Sequence, residues 1–140
     1  MKKLLLIFFF ALSTSLLSSQ ARAQLLIIAN PGVKTDDVSK DNLRDVFTGA
    51  SSTLKGGSHV TPVLLKQGTA QEEFLSIYVG KSDTAFRAGW RSLVFSGQGE
   101  MPRSLESEAA VVEFVAHNSD AIGYISKLTP HDGVKTLTVR

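Results

Sequence analysis

Val60-Thr61-Pro62-Val63-Leu64-Leu65-Lys66-Gln67-Gly68-Thr69-Ala70-Gln71 decides the fold class, because within twelve letters the chain changes from one periodicity to another. The run up to Leu65 is apolar and rich in branched side chains, as a strand requires. Pro62 has no amide to donate, so this strand either lies near a sheet edge or begins irregularly. The polar Lys66-Gln67-Gly68 step ends it. From Thr69 the spacing of Phe74, Ile77 and Tyr78 at i, i+3 and i+4 predicts a helix that stops at Gly80. A strand running straight into a helix is the building unit of an α/β layer.

The flanking segments repeat the alternation. Leu25-Leu26-Ile27-Ile28-Ala29 reads as a buried strand stopped by Asn30-Pro31-Gly32. Ser39 is a candidate N-cap, with Val38 and Leu43 placed for a hydrophobic staple and Leu43, Val46 and Phe47 as the buried stripe of a helix ending at Gly49. Gly56-Gly57 makes a turn. Beyond Gly80, a third helix starts after Ser82, its Phe86, Trp90, Leu93 and Val94 forming an inward stripe until Ser96-Gly97. Such a stripe could stack a ligand ring, but helical spacing favours core packing. The Gly97–Pro102 loop leads to a fourth helix with Glu106 and Glu108 in its first turn, Val111, Val112, Phe114 and Val115 inside, and His117 and Asn118 at its C-terminus. Ala121-Ile122-Gly123-Tyr124-Ile125 is a strand containing glycine, and Val134 to Val139 alternates as a last strand. The resulting order, β-α-β-α-α-α-β-β, carries no internal repeat and no linker.

At 140 residues with 43% hydrophobic and 20% charged content, the chain suits one domain of roughly 100–200 residues and excludes a disordered or collagenous one. Met1 to Ala23 reads as a cleaved secretory signal. Lys2 and Lys3 form its positive end, Leu4 to Leu12 its apolar run, and Ala21-Arg22-Ala23 its small-x-small cleavage site. Ser13-Thr14-Ser15 and Ser18-Ser19-Gln20 interrupt the run, which argues against a membrane anchor needing about 20 apolar residues. The domain then spans 24–140 and is expected to be exported. Losing Lys2, Lys3 and Arg22 takes the 15 basic residues to 12 against 13 acidic ones, turning a formal charge of +2 into −1. No basic run remains to neutralise phosphates, so nucleic acid is not an expected partner.

Zero cysteines exclude thiol chemistry and a disulfide scaffold. His59, His117 and His131 lie too far apart for a local ligand pair, and no metal or cofactor is expected. His117, at a helix end, reads as solvated and matched to the dipole. Phe95-Ser96-Gly97-Gln98-Gly99 fails the nucleophile-elbow pattern, Pro102 stands where a dinucleotide fingerprint needs glycine, and no phosphate-binding Gly-x-x-x-x-Gly-Lys loop exists. Adjacent Glu72 and Glu73 diverge by about 100° on a helix and could not share a proton. An enzyme is therefore not expected.

What remains is the corner at Lys66–Gln71. A helix N-terminus points free amides and a positive dipole outward, which attracts phosphate or sulfate. Gly68 would let an anion approach the backbone, Thr69 could donate its hydroxyl, Ala70 a third amide, and Lys66 charge. The competing reading is a capping box, with Thr69 as cap and Glu72 reaching back. In that case the protein's own side chains occupy the donors.

The ordered pieces Asp41-Asn42-Leu43-Arg44-Asp45-Val46-Phe47-Thr48-Gly49, Val60-Thr61-Pro62-Val63, Gly89-Trp90-Arg91-Ser92-Leu93-Val94-Phe95-Ser96-Gly97-Gln98-Gly99-Glu100-Met101-Pro102 and Asp120-Ala121-Ile122-Gly123-Tyr124-Ile125 together resemble the small secreted proteins classed as phosphate ABC-transporter substrate-binding-like, which look like one lobe of the periplasmic phosphate-binding protein. The resemblance covers about Ser39 to Ser126. It implies a single periplasmic-binding-protein-like lobe, a mixed sheet flanked by helices, with bacterial export and a link to phosphate. It also implies inorganic phosphate or a similar oxyanion as ligand, held at Lys66, Gly68, Thr69 and Ala70, and an ABC permease or another periplasmic protein as partner. In full-length relatives a Ser-Gly-Thr turn at a helix N-terminus holds the anion with an arginine and groups from the other lobe. Here Gly68 and Thr69 match that turn. Gln67 stands for the serine, Val63 for the arginine, Leu54 for a tryptophan usual in small relatives, and Gln71 for an arginine of the helix's first turn. One lobe alone implies weak binding. The alternative is a ligand-free interaction module derived from the same lobe.

Overall fold

The computed structural model describes residues 25–140, so the secretory signal expected over Met1–Ala23 lies outside the described residues. Among the described residues no helix is long and apolar enough to cross a membrane. In chain order the elements are β1 (Leu25–Ala29), β2 (Asp37–Val38), α1 (Lys40–Thr48), β3 (Thr61–Leu65), α2 (Thr69–Phe74) continued by a π-helical segment (Leu75–Val79), α3 (Asp83–Phe95), β4 (Arg103–Leu105), α4 (Glu108–His117), β5 (Ala121–Ser126) and β6 (Lys135–Val139). They build a mixed six-stranded sheet in the order β2-β6-β1-β5-β3-β4. Strands β5, β3 and β4 run parallel to one another, β1 is antiparallel to both β5 and β6, and β2 is parallel to β6.

The expected α/β architecture is present, with two strands added. Both β2 and β4 are too short to show a period, and each is defined by its partner's register: Asp37 faces Thr138, and Val63 to Leu65 face Arg103 to Leu105. Strand β3 sits one position in from the sheet edge. Pro62 pairs with Ile122 of β5, and β4 pairing starts one residue later at Val63, so the missing amide costs no ladder bond.

Alternation along β5 assigns the layers. Gly123 faces α4. A Cβ there would lie 2.9 Å from Val111 Cγ1 and 3.1 Å from Val63 Cγ2, so only glycine lets the helix approach this closely. Tyr124 faces the opposite layer, stacked on Phe74 with ring centroids 3.9 Å apart, while Phe47 meets the Phe74 ring edge-on at 4.7 Å. Those three rings join α1, α2 and the sheet in one core. Trp90 is buried with its indole N–H donating to Phe47 O at 2.8 Å, so the Phe86–Trp90 part of the α3 stripe is core packing.

Two helical faces depart from expectation. The π-helical turn widens the spiral after Phe74, bringing Leu75 and Val79 into the core and leaving Ile77 exposed. On α3 only Phe86 and Trp90 are buried. Leu93 is half-buried and Val94 exposed, because this helix packs chiefly against α1. Helix α4 begins at Glu108 behind Ser107, so Glu106 precedes the helix.

Candidate functional site

The parallel strands β3, β4 and β5 end on one side of the sheet, and the segments leaving them, Lys66–Gly68, Glu106–Ser107 and Ser126–Leu128, lie there together. Of the four sequence-selected residues, Lys66 and Gly68 are on the first of these, and Thr69 and Ala70 begin the helix that follows it. Lys66 is tied to the neighbouring strand end twice: its N–H donates to Leu105 O at 3.0 Å, and its ammonium pairs with the Glu106 carboxylate. Gly68 and Thr69 are exposed, and Ala70 is buried.

The capping box is not formed. Thr69 is already helical, the cap is Gly68, and the helix start receives no side-chain hydrogen bond. The cause is in the backbone. Gly68 has φ 109° and ψ 174°, a region essentially closed to residues with a Cβ. Its carbonyl accepts the first helical bond, from Glu72 N at 3.1 Å. That places Thr69 one position too far along to cap. A Cβ on Gly68 would meet nothing within 4 Å, so the space over the turn is open. Among the described residues, the amides of Gln67, Gly68, Thr69, Ala70 and Gln71 have no protein acceptor. The three other helices differ: Ser39, Ser82 and Ser107 each accept a bond from the amide three residues on, at 3.1 Å.

Beneath the turn lies a polar network with no local sequence signature. Gln71, 2% exposed, accepts from the Tyr124 hydroxyl and donates to Asp83 Oδ1 at 3.1 Å. The same hydroxyl accepts from Leu65 N at 3.0 Å. Arg87 donates through Nε to both Asp83 oxygens at 3.2 and 3.0 Å, through Nη1 to Ser104 Oγ at 3.3 Å, and through Nη2 to Leu65 O at 3.1 Å and Lys66 O at 3.0 Å. Burial pushes the Asp83 carboxyl up, but the hydrogen bonds from Gln71 and Arg87 and the guanidinium charge outweigh it and hold the group below its ordinary value. Burial pushes the Tyr124 hydroxyl far up. The Asp83–Arg87 pairing is foreseeable from i,i+4 spacing. Its contact with Leu65 and Lys66 is not, since those residues lie on another element.

The remaining candidates stay apart. His59 faces Asp120 at 3.4 Å, His117 is within 2.7 Å of Glu113 O, and His131 within 2.9 Å of Thr129 O. Among the described residues no group of three or more His, Asp or Glu side chains could hold a metal. A depression of about 480 Å³ lies between the α2 helix and the start of α3, lined by Glu72, Leu75, Ser76, Gly80 and Asp83, and none of the four selected residues lines it.

Neither a family model nor a curated protein sequence matches the chain. Solved structures do. One is a Clostridium perfringens protein described as a phosphate ABC transporter substrate-binding protein, with bound phosphate, at TM-score 0.63 and 17% identity over 82% of this chain and 44% of that one. An ABC-type phosphate transport receptor from Vibrio cholerae matches at 0.62 and 16%, over 82% of this chain and 45% of that one. PstS from Borrelia burgdorferi matches at 0.62 and 16%, over 83% and 47%. The chain spans less than half the length of each, as a single lobe does, and what it shares with them is the periplasmic-binding-protein fold.

Proposed function

We propose that the chain is an exported periplasmic solute-binding-type protein that captures phosphate or a similar oxyanion weakly, at Lys66, Gly68, Thr69 and Ala70, in association with phosphate ABC transport. The observation that carries this reading is the row of amides opened by Gly68, unpartnered among the described residues, at a helix start that no side chain caps. The fold shared with phosphate-transport binding proteins, one of them holding phosphate, supports it. Binding is weak because one lobe leaves half the anion in water, and because Glu106 already neutralises Lys66. The chemistry is reversible recognition, with amide donors and no bond made or broken.

Calorimetric titration with phosphate and with sulfate, alongside thermal unfolding, tests this reading. At 100 times the dissociation constant a bound anion adds about 2.7 kcal/mol of stability. No heat and no shift at millimolar anion would overturn the assignment.

The second reading, a ligand-free interaction module, is favoured by Leu128, which is 93% exposed two residues past the end of β5, on the same side of the sheet as Gly68. It predicts crosslinking through Leu128 to a periplasmic protein, with no response to either anion.

A further inference from the structure

We infer that Arg87 is a positioning residue for the anion site: from the neighbouring helix it sets the direction in which the backbone of the β3–α2 turn presents its N–H groups. The inference rests on the phosphate reading above and names a residue which that reading does not include.

The argument starts from the planarity of the peptide group. In a trans peptide the C=O of one residue and the N–H of the next point in opposite directions, and both are fixed once either is held. Arg87 Nη2 holds two successive carbonyls, Leu65 O at 3.1 Å and Lys66 O at 3.0 Å. The first peptide shows the consequence: with Leu65 O turned toward Arg87, Lys66 N–H points away and donates to Leu105 O at 3.0 Å. The second peptide has the same constraint and no such acceptor. With Lys66 O turned toward Arg87, Gln67 N–H is directed away from the guanidinium, next to Gly68, and has no protein partner among the described residues.

Four of the five Arg87 N–H groups are taken by the protein itself. Of its five N–H groups, one at Nε serves Asp83, one at Nη1 serves Ser104, and both at Nη2 serve the turn carbonyls. Its fork is in turn aimed by Asp83, which Gln71 also holds. Lysine at this position would keep the charge and much of the stem, but a single ammonium cannot span Asp83, Ser104 and two carbonyls in the fixed geometry of a guanidinium.

The experiment is a phosphate titration of the protein followed by amide NMR, with sodium sulfate as a second anion and thermal unfolding in parallel. Wild type is compared with Arg87→Lys, Asp83→Asn and, as a purely structural control, Ser107→Ala. The expected result is a phosphate-dependent shift of the Gln67 and Gly68 amides in wild type. Arg87→Lys binds about tenfold more weakly and loses the Gln67 response. Asp83→Asn, which removes the charge that aims the guanidinium and leaves the backbone bonds of the turn in place, weakens binding a few-fold. Ser107→Ala lowers the unfolding temperature and leaves the constant unchanged. If Arg87→Lys does not fold, Asp83→Asn decides. An unchanged constant in the folded variant overturns the positioning role while leaving the phosphate reading in place, as does a loss of affinity that merely tracks stability in all three variants. Silence of the wild-type amides overturns the phosphate reading, and the positioning role with it.

Discussion

Helices α2 and α4 start side by side, each leaving the end of one of two adjacent parallel strands, and they solve the same problem in opposite ways. Four amides at a helix start need acceptors. At α4 the chain supplies a side-chain cap of its own: Ser107 Oγ accepts from Ala110 N at 3.1 Å, and the Glu108 carboxylate beside it accepts from Ser126 N and Thr129 Oγ1 of the neighbouring strand end. At α2 the cap is glycine in a conformation other residues cannot adopt, and nothing accepts. What α2 has instead is support from below, through Tyr124, Gln71, Asp83 and Arg87. One start is closed by side chains on its surface. The other is open on its surface and fixed from inside, which is the arrangement a ligand site needs.

The largest effect expected from breaking this contrast is at the support. Tyr124→Phe keeps the stack on Phe74 but leaves Leu65 N–H and the Gln71 side-chain oxygen, both buried, without their partner. Unfolding in denaturant should show a loss of about 2–3 kcal/mol at neutral pH. The same hydroxyl gives a pH signature. Burial raises its pKa in the folded chain above the ordinary value near 10. Below that value both states hold the proton and the contribution is fully present. As pH rises past it, the unfolded chain releases a proton that the folded chain retains, so stability falls. The wild-type curve should therefore decline above about pH 10 by up to about 1.4 kcal/mol per pH unit more than the Tyr124→Phe curve. The difference between the two curves separates this group from Tyr78, which burial also raises. Parallel curves would mean that the tyrosine does not support the turn.

The support is also where the sequence is hardest to read. Helix α1 is legible from Ser39 to Gly49 because its cap, stripe and stop all lie within one short segment, and each is found where its residue type implies. The network under α2 joins Leu65 to Tyr124 and Lys66 to Arg87, across elements, and no window of sequence contains both partners. Gln71 looks like a surface glutamine in a polar helix start. It is 2% exposed because Tyr124 offers it a hydroxyl from the middle of an apolar strand. The letters Thr69-Ala70-Gln71-Glu72 spell a capping box correctly, but the pattern fixes spacing and not phase. Gly68, one residue earlier, takes the cap position, and the box has no geometry in which to close. Strands β2 and β4 were hidden for a simpler reason: two or three residues cannot display a period of two, and only β6 and β3 define them.

A smaller effect is expected at the closed start. Ser107→Ala removes the one side chain that accepts from Ala110 N, and the loss should be about 1 kcal/mol in the unfolding free energy. Because the start of α4 is capped by its own serine and carries no glycine opening, phosphate titration of this variant should match wild type. A change in anion affinity here would show that the two starts communicate and that the contrast between them is not local.

The smallest stability effect is expected where the capping-box pattern would have placed a large one. If Thr69 capped α2, Thr69→Ala would cost about 1 kcal/mol, as at Ser107. In the structure Thr69 is an exposed first helical residue with no cap bond. Alanine is also the better helix former, by a few tenths of a kcal/mol. Unfolding should therefore place Thr69→Ala within about 0.5 kcal/mol of wild type. The anion response should move instead: if the hydroxyl donates to phosphate beside the Gly68 amide, its removal weakens binding a few-fold while stability holds. The two alanine variants then dissociate in opposite senses, Ser107 affecting folding alone and Thr69 affecting capture alone. A Thr69→Ala variant that loses 1 kcal/mol and binds phosphate unchanged would restore the structural cap and close the second start as well.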